Sequence, residues 1–109
     1  MRTCVRVSIK GSSYGNFRRA LKTGNLTVIR AAAAELPAIN LEDALSVCLL
    51  LAQQEPRHFE RAALRWIGRY CLERRDLAID DVCVVAEAFA RLRDGDEGAE
   101  ATLRRLSSR

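Results

Sequence analysis

The sequence contains few of the residues on which catalytic and metal sites are usually built. Its 109 residues include one histidine, His58, and four cysteines that are spaced too widely for a CxxC pair or a zinc ribbon. It also lacks a P-loop, a GxGxxG turn and an HExxH helix, which are short motifs that carry a mechanism. We therefore expect a non-catalytic protein, with no enzyme activity, no cofactor and no metal site.

Long hydrophobic runs are also missing. The longest strongly apolar stretch is VCLLLA, residues 47–52, whereas a membrane-spanning helix needs about 20 apolar residues. The first ten residues, MRTCVRVSIK, are interrupted by charge and contain no apolar core of a secretory signal. We therefore expect no membrane partner and a cytoplasmic location.

Acidic residues are absent from the first 34 positions, which carry seven basic residues. Positions 35–109 carry eleven basic and fourteen acidic residues, so the net charge of +4 divides into +7 and −3. Such a division of charge indicates an interaction surface. Arginine outnumbers lysine by 16 to 2 in this basic protein, and a GC-rich genome would explain that abundance equally well.

Most of the cysteines lie in apolar helical patterns. Cys48, Cys71 and Cys83 each follow such a pattern, and a buried free cysteine behaves as a small hydrophobic residue. We expect these three side chains to be reduced, buried thiols, with a disulfide or a metal site as the less favoured reading.

Apolar residues from position 16 onward recur at the spacing of helices. Asn25 and Asn40 are good N-caps and Pro56 suits a first helical position. The predicted fold is all-α, a compact bundle of five or six helices. The predicted helices are 16–23, 26–36, 41–54, 56–75, 79–92 and, more weakly, 97–107. The predicted domains are an extended N-terminal arm and loop (1–15), a helical core domain (16–95) and a C-terminal helix or tail (96–109).

One short stretch has the alternation of a β-strand. Val5, Val7 and Ile9 point one way in residues 3–9, and a composition rich in glycine and serine predicts a loop at 11–16. A single strand needs a partner. The stretch is therefore expected to pair with its copy in a homo-oligomer, to lie as an arm on the helices, or to be disordered.

Two helical segments resemble one another in pattern. Residues 41–52 match residues 79–90 at an offset of 38, and the preceding helices also align. This match raises the alternative of two stacked helical hairpins, as in α-solenoid repeats. A compact bundle remains the preferred reading because two hairpins cannot make a long solenoid.

A row of arginines recurs every fourth residue in the helix 56–75. Helical geometry places this row opposite the apolar stripe that contains Phe59, Trp66 and Tyr70, with no acidic residue of the same helix beside it. A row of one sign is typical of a surface that binds an anion or an acidic partner, and equally of a solvated helix face. The row consists of Arg57, Arg61, Arg65 and Arg69.

Two functions are consistent with these patterns. The preferred one is a protein-interaction or oligomerising module, which binds a protein partner or itself, in the latter case through residues 3–9. The alternative is a nucleic-acid-binding protein, for DNA or RNA. It would use the arginine row and a second basic cluster made of Arg18, Arg19 and Lys22.

Overall fold

The computed structural model describes the backbone of residues 2–108 and the side chains of residues 13–108. Within that part of the chain there are six α-helices and no strand, so the predicted all-α fold with five or six helices is confirmed. The helices are α1 (Arg2–Thr23), α2 (Leu26–Ala33), α3 (Leu41–Gln54), α4 (Pro56–Glu73), α5 (Ile79–Arg93) and α6 (Glu97–Ser107).

The prediction of an extended N-terminal arm is wrong. Residues 3–9 and the predicted loop at 11–16 both belong to α1, which continues to Thr23, so no strand is present there to pair with a second copy. A helix satisfies its backbone hydrogen bonds within itself, whereas a single strand leaves them without partners. The side chains of residues 2–12 lie outside the described part of the structure.

Helices α2, α3 and α4 begin at the residues that the sequence predicts as helix starts. The side chain of Asn25 accepts hydrogen bonds from the backbone N–H groups of Thr27 and Val28, and Asn40 accepts one from Asp43 at 2.8 Å. Pro56 occupies the first turn of α4. These residues set the helix starts because they satisfy, or do not need, the donors that a helix leaves free at its N-terminus.

The chain divides into two compact units between Ile39 and Asn40. In the first unit α1 packs against α2, and Phe17, Leu26 and Ile29 are buried. The Ser13 hydroxyl donates to the Glu35 carboxylate at 3.3 Å, which ties α1 to the turn after α2. This division does not coincide with either limit of the predicted core domain, 16–95.

The second unit is a bundle of four helices. Helix α3 packs against α4 and α6, and α5 also packs against α4 and α6, so the four helices form a closed ring. Short connections make consecutive helices antiparallel. This arrangement agrees with the predicted helical bundle.

Aromatic side chains fill the centre of the second unit. Trp66 is 2% exposed, its ring lies 5.2 Å from Tyr70 and 5.4 Å from Phe89, and Phe59 lies 6.1 Å from Phe89. The indole N–H of Trp66 donates to the backbone carbonyl of Leu41 at 2.8 Å. This bond joins α4 to α3 and satisfies a buried polar group that would otherwise be costly.

The cysteine prediction is correct for one residue of the three. Cys48 is buried, but Cys71 and Cys83 are exposed free thiols. Both residues follow the apolar pattern of their helices, yet their side chains are exposed. Burial depends on a neighbouring element as well as on periodicity.

None of the described helices combines the length and the hydropathy that a bilayer-spanning segment requires. Helix α1 is the longest, and its composition is polar overall.

Candidate functional site

The arginine row of α4 lies on the surface of the second unit. Arg57, Arg61 and Arg65 are exposed, and their guanidinium groups form no ion pair or hydrogen bond with a described residue. Arg69 differs, because it donates twice to the Glu73 carboxylate, at 3.1 and 2.9 Å. The prediction that no acid of the same helix meets the row is therefore wrong for Arg69.

The single histidine has a local partner. His58 Nδ1 lies 3.0 Å from Glu55 Oε1, and the two side chains are 52% and 32% exposed. No described serine or cysteine contacts the imidazole. The described partner of the imidazole is thus a carboxylate and not a hydroxyl or a thiol.

The second predicted basic cluster belongs to the first unit. Arg18, Arg19 and Lys22 are all exposed near the end of α1. Phe17 is fully buried, whereas Tyr14 is 43% exposed, so Tyr14 is the described aromatic of this helix that is accessible for base stacking. The two basic clusters thus stand on different units.

An apolar surface that we did not predict lies where α4 and α5 run side by side. Leu64 of α4 is 65% exposed and Ile79 of α5 is 82% exposed. A groove of about 100 Å³ runs between the two helices. We call this surface the α4–α5 face and define it by seven residues: Leu64, Ile67 and Cys71 of α4, and Ile79, Cys83, Ala86 and Ala90 of α5.

Helix periodicity places the seven residues on one side of the hairpin. They follow one another at steps of three or four residues within each helix, which keeps them on a single face. Phe59 and Phe89 line the groove, so the face is built on the aromatic core. At one end of the groove the Arg93 guanidinium donates to Glu60 at 3.1 Å.

Charged residues border the α4–α5 face on both sides. Arg61 precedes Leu64 by three residues, and Glu87 precedes Ala90 by three, so each lies beside the face on its outer side. The basic rim consists of Arg57, Arg61 and Arg65 on α4, of which Arg65, about 100° round the helix from Leu64, lies farthest from the face. The acidic rim consists of Asp80, Glu87 and Asp94 at α5.

The acidic rim has weak local partners. Glu87 is 73% exposed and lies 3.9 Å from Arg91, and Asp94 is 70% exposed and lies 3.4 Å from Arg93. Exposed pairs of this kind contribute little free energy, so they leave the carboxylates free to exchange partners.

A cavity of about 290 Å³ beside Tyr70 and Arg74 has a structural role. Arg74 stands over the Tyr70 ring at 5.4 Å and donates to the backbone carbonyls of Leu106 and Ser107, both at 3.1 Å. These bonds satisfy the last carbonyls of α6. The Arg74 guanidinium of this cavity is therefore already bonded within the folded protein.

Two further features of the described chain bear on reactivity, the buried thiol of Cys48 and the placement of the metal-binding residue types. Burial raises the pKa of the Cys48 thiol to about 11, which keeps it protonated and inert at neutral pH. Among residues 13–108 there is no cluster of three or more His, Cys, Asp or Glu side chains that could hold a metal ion. Every buried side-chain nitrogen or oxygen of the described residues has a hydrogen-bond partner.

Comparison with protein-family models, with curated proteins and with solved structures finds no match to this chain. The arginine row and the α4–α5 face are therefore the features from which function can be inferred.

One residue of the α4–α5 face could have been predicted from the sequence to be part of a contact surface. Leu64 lies off the stripe of Phe59, Ala63 and Trp66, and a large apolar residue off the core stripe is the pattern expected of a contact surface. The exposure of Ile79 could not have been predicted in this way, because its spacing is that of an ordinary core residue at the start of a helix.

Proposed function

We propose that this protein is a small, non-catalytic helical module that binds a protein partner through the α4–α5 face. The observation that carries the proposal is the exposure of both Leu64 and Ile79, large apolar residues that helical spacing assigns to the α4–α5 face. Apolar patches bordered by polar residues are typical of protein–protein contact sites. The proposed location is the cytoplasm, because exposed free thiols such as Cys71 and Cys83 suit a reducing compartment.

The base of the face supports this role. Phe59 and Phe89 line its groove and, together with Trp66, pack α4 against α5. A preformed surface loses little conformational entropy on binding, so more of the contact free energy appears as affinity.

Site-specific photo-cross-linking tests the proposal. A benzophenone amino acid at position 64 should form covalent adducts with a protein partner in the producing cell. The same group at position 84 is the matched control, because Val84 is 50% exposed on the side of α5 that borders the other cavity. Absence of adducts at position 64, or equal yields at both positions, would contradict the proposal.

Nucleic-acid binding is the second candidate. The observation in its favour is that Arg57, Arg61 and Arg65 are exposed and have no partner among the described side chains. Guanidinium groups in such a row can contact successive phosphates. The cluster of Arg18, Arg19 and Lys22 would add further phosphate contacts, and Arg69 would join once released from Glu73.

Fluorescence anisotropy with labelled duplex DNA and RNA tests this candidate. Binding should be detectable at low salt and should weaken steeply towards physiological salt, because counterions are released from the phosphates. Replacing Arg57, Arg61 and Arg65 by alanine should reduce the salt dependence. No anisotropy change at low salt would exclude the candidate.

A further inference from the structure

Resting on the proposed function, we infer that the partner is a second copy of this chain, bound face to face about a twofold axis that runs parallel to α4 and α5. Such an interface brings the same patch of both copies together, so the patch must complement itself in shape and in charge. The α4–α5 face does both, as the heights of its residues along the hairpin show.

The Glu60–Arg93 ion pair, 3.1 Å apart, marks which positions of α4 and α5 lie at the same height along the hairpin. Because the helices are antiparallel and rise equally per residue, one step forward on α4 corresponds to one step back on α5. Leu64, four residues after Glu60, therefore lies at the height of position 89. Cys71, eleven residues after Glu60, lies at the height of Val82 and beside Cys83.

The register makes the face complementary in shape. A rotation about an axis parallel to the helices keeps heights unchanged and places α4 of one copy over α5 of the other. Leu64 of one copy then enters the space between Ala86 and Ala90 of the other. A large side chain opposite two small ones is the knob-into-hole arrangement of packed helices.

The same rotation makes the face complementary in charge. The basic rim of each copy comes to lie over the acidic rim of the other, with Arg61 and Arg65 near the heights of Asp94 and Glu87. A twofold axis perpendicular to the helices would instead place basic rim over basic rim. Electrostatics thus selects the parallel axis and, by the same reasoning, favours a second copy over a partner of single charge.

Sedimentation velocity of the full-length protein tests self-association. The wild type should sediment as a dimer, and Leu64→Asp should weaken the dimer at least 100-fold, an order-of-magnitude expectation because each dimer loses two buried leucines. Val84→Asp is the control and should remain dimeric. Circular dichroism of both variants checks that the helices are retained. A wild type that is monomeric at high concentration overturns the inference.

Charge reversal tests the orientation. The variant with Arg61→Glu and Arg65→Glu should dimerise about 10-fold or more weakly, as should the variant with Glu87→Arg and Asp94→Arg. An equimolar mixture should recover the dimer, because each contact then joins opposite charges. Reversal of Glu97 and Glu100 on α6 is the control and should change nothing. Weak association that persists in the mixture overturns the proposed axis.

Disulfide cross-linking through the native cysteines tests the same orientation independently. Cys71 also lies beside Cys83 of its own chain, so the two cysteines are placed on different variants in a Cys4→Ser background. Mild oxidation of a mixture of Cys71→Ser and Cys83→Ser should join Cys71 of one copy to Cys83 of the other, since a disulfide needs α-carbons within about 7 Å. Either variant alone should give no covalent dimer. A covalent dimer that survives Cys83→Ser would indicate Cys71 against Cys71, which the parallel axis forbids.

The mass of the photo-adduct at position 64 separates failure of this inference from failure of the proposed function. An adduct of twice the chain mass supports the second copy. An adduct with a different protein overturns the second copy and leaves the proposed function standing. No adduct contradicts both.

Discussion

Helices α3 and α5 have matching sequence patterns and different surroundings. Leu41 at the start of α3 is 5% exposed, whereas Ile79, its counterpart 38 residues later, is 82% exposed. Asp43 is 1% exposed, and its counterpart Asp81 lies on the surface. Two helices with the same pattern thus serve as a buried helix and as a helix with one uncovered side.

This contrast shows that an apolar stripe indicates that a helix needs a covering partner but does not identify the partner. In α3 the neighbouring helices of the bundle cover the stripe. In α5 the residues Ile79, Cys83 and Ala86 remain uncovered within the described chain. We infer that a second copy covers them, and the following predictions test the contrast between the two helices.

The largest effect is expected where α4 meets α3. Trp66→Ala should lower the free energy of unfolding by about 3–5 kcal/mol, because it leaves a cavity in the aromatic cluster. It also removes the hydrogen bond to the Leu41 carbonyl. Urea denaturation measures the loss, and Trp66→Phe is the matched control that should lose less. A loss below about 1 kcal/mol would contradict the described core.

Matched truncations compare the two helices directly. Leu41→Ala should destabilise the protein by about 2–5 kcal/mol, because Leu41 is buried. Ile79→Ala should change the stability of the monomer by less than about 0.5 kcal/mol, because its side chain is in solvent. Denaturation at low protein concentration gives both values. Equal losses would mean that Ile79 is buried within its own chain.

Replacing Asp43 should lower the free energy of unfolding more than replacing Asp81, just as Leu41 should matter more than Ile79. Asp43→Ala removes a fully buried polar side chain and should cost about 1–3 kcal/mol, since its partner is left unsatisfied. Asp81→Ala removes the acceptor of the Ala78 N–H, 2.8 Å away at the start of α5, and should cost about 1 kcal/mol or less. Chemical denaturation of both variants measures the two losses in the free energy of unfolding. A larger loss for Asp81→Ala than for Asp43→Ala would contradict the expected order.

The smallest expected effect on stability comes from Cys48 and depends on pH. Because burial raises the pKa of Cys48 from 9.0 to about 11, the unfolded chain releases that proton first as pH rises. This contribution to stability is therefore complete below pH 9 and is lost towards pH 11, by about 1 kcal/mol at pH 10. Cys48→Ala should remove this part of the pH dependence. In the native monomer, Cys83 should react with a thiol reagent and Cys48 should not.

Much of the fold could be predicted from the sequence. Asn25, Asn40 and Pro56 determine helix starts by local hydrogen bonding, and local interactions are visible in one sequence. The N-terminal prediction was wrong because Val5, Val7 and Ile9 alternate as they would in a strand, although the segment is helical. A period-two pattern over so few residues does not outweigh the internal hydrogen bonding of a helix.

The candidate site was predicted only in part. The arginine row of Arg57, Arg61 and Arg65 followed from helical spacing and is exposed as one side of α4. Its place beside an apolar groove did not follow, because the groove depends on how α4 packs against α5. Whether Cys71 and Cys83 are covered depends on tertiary neighbours in the same way.

Methyl chemical shifts of the full-length protein, followed by NMR over a dilution series, test the central claim most directly. Between micromolar and millimolar concentration, the methyl signals of Leu64, Ile67 and Ile79 should shift together and give one dimerisation constant, while those of Val84 should stay constant. Methyl signals of the α4–α5 face that are independent of concentration, or shifts confined to Val84, would contradict recognition of a second copy through this face.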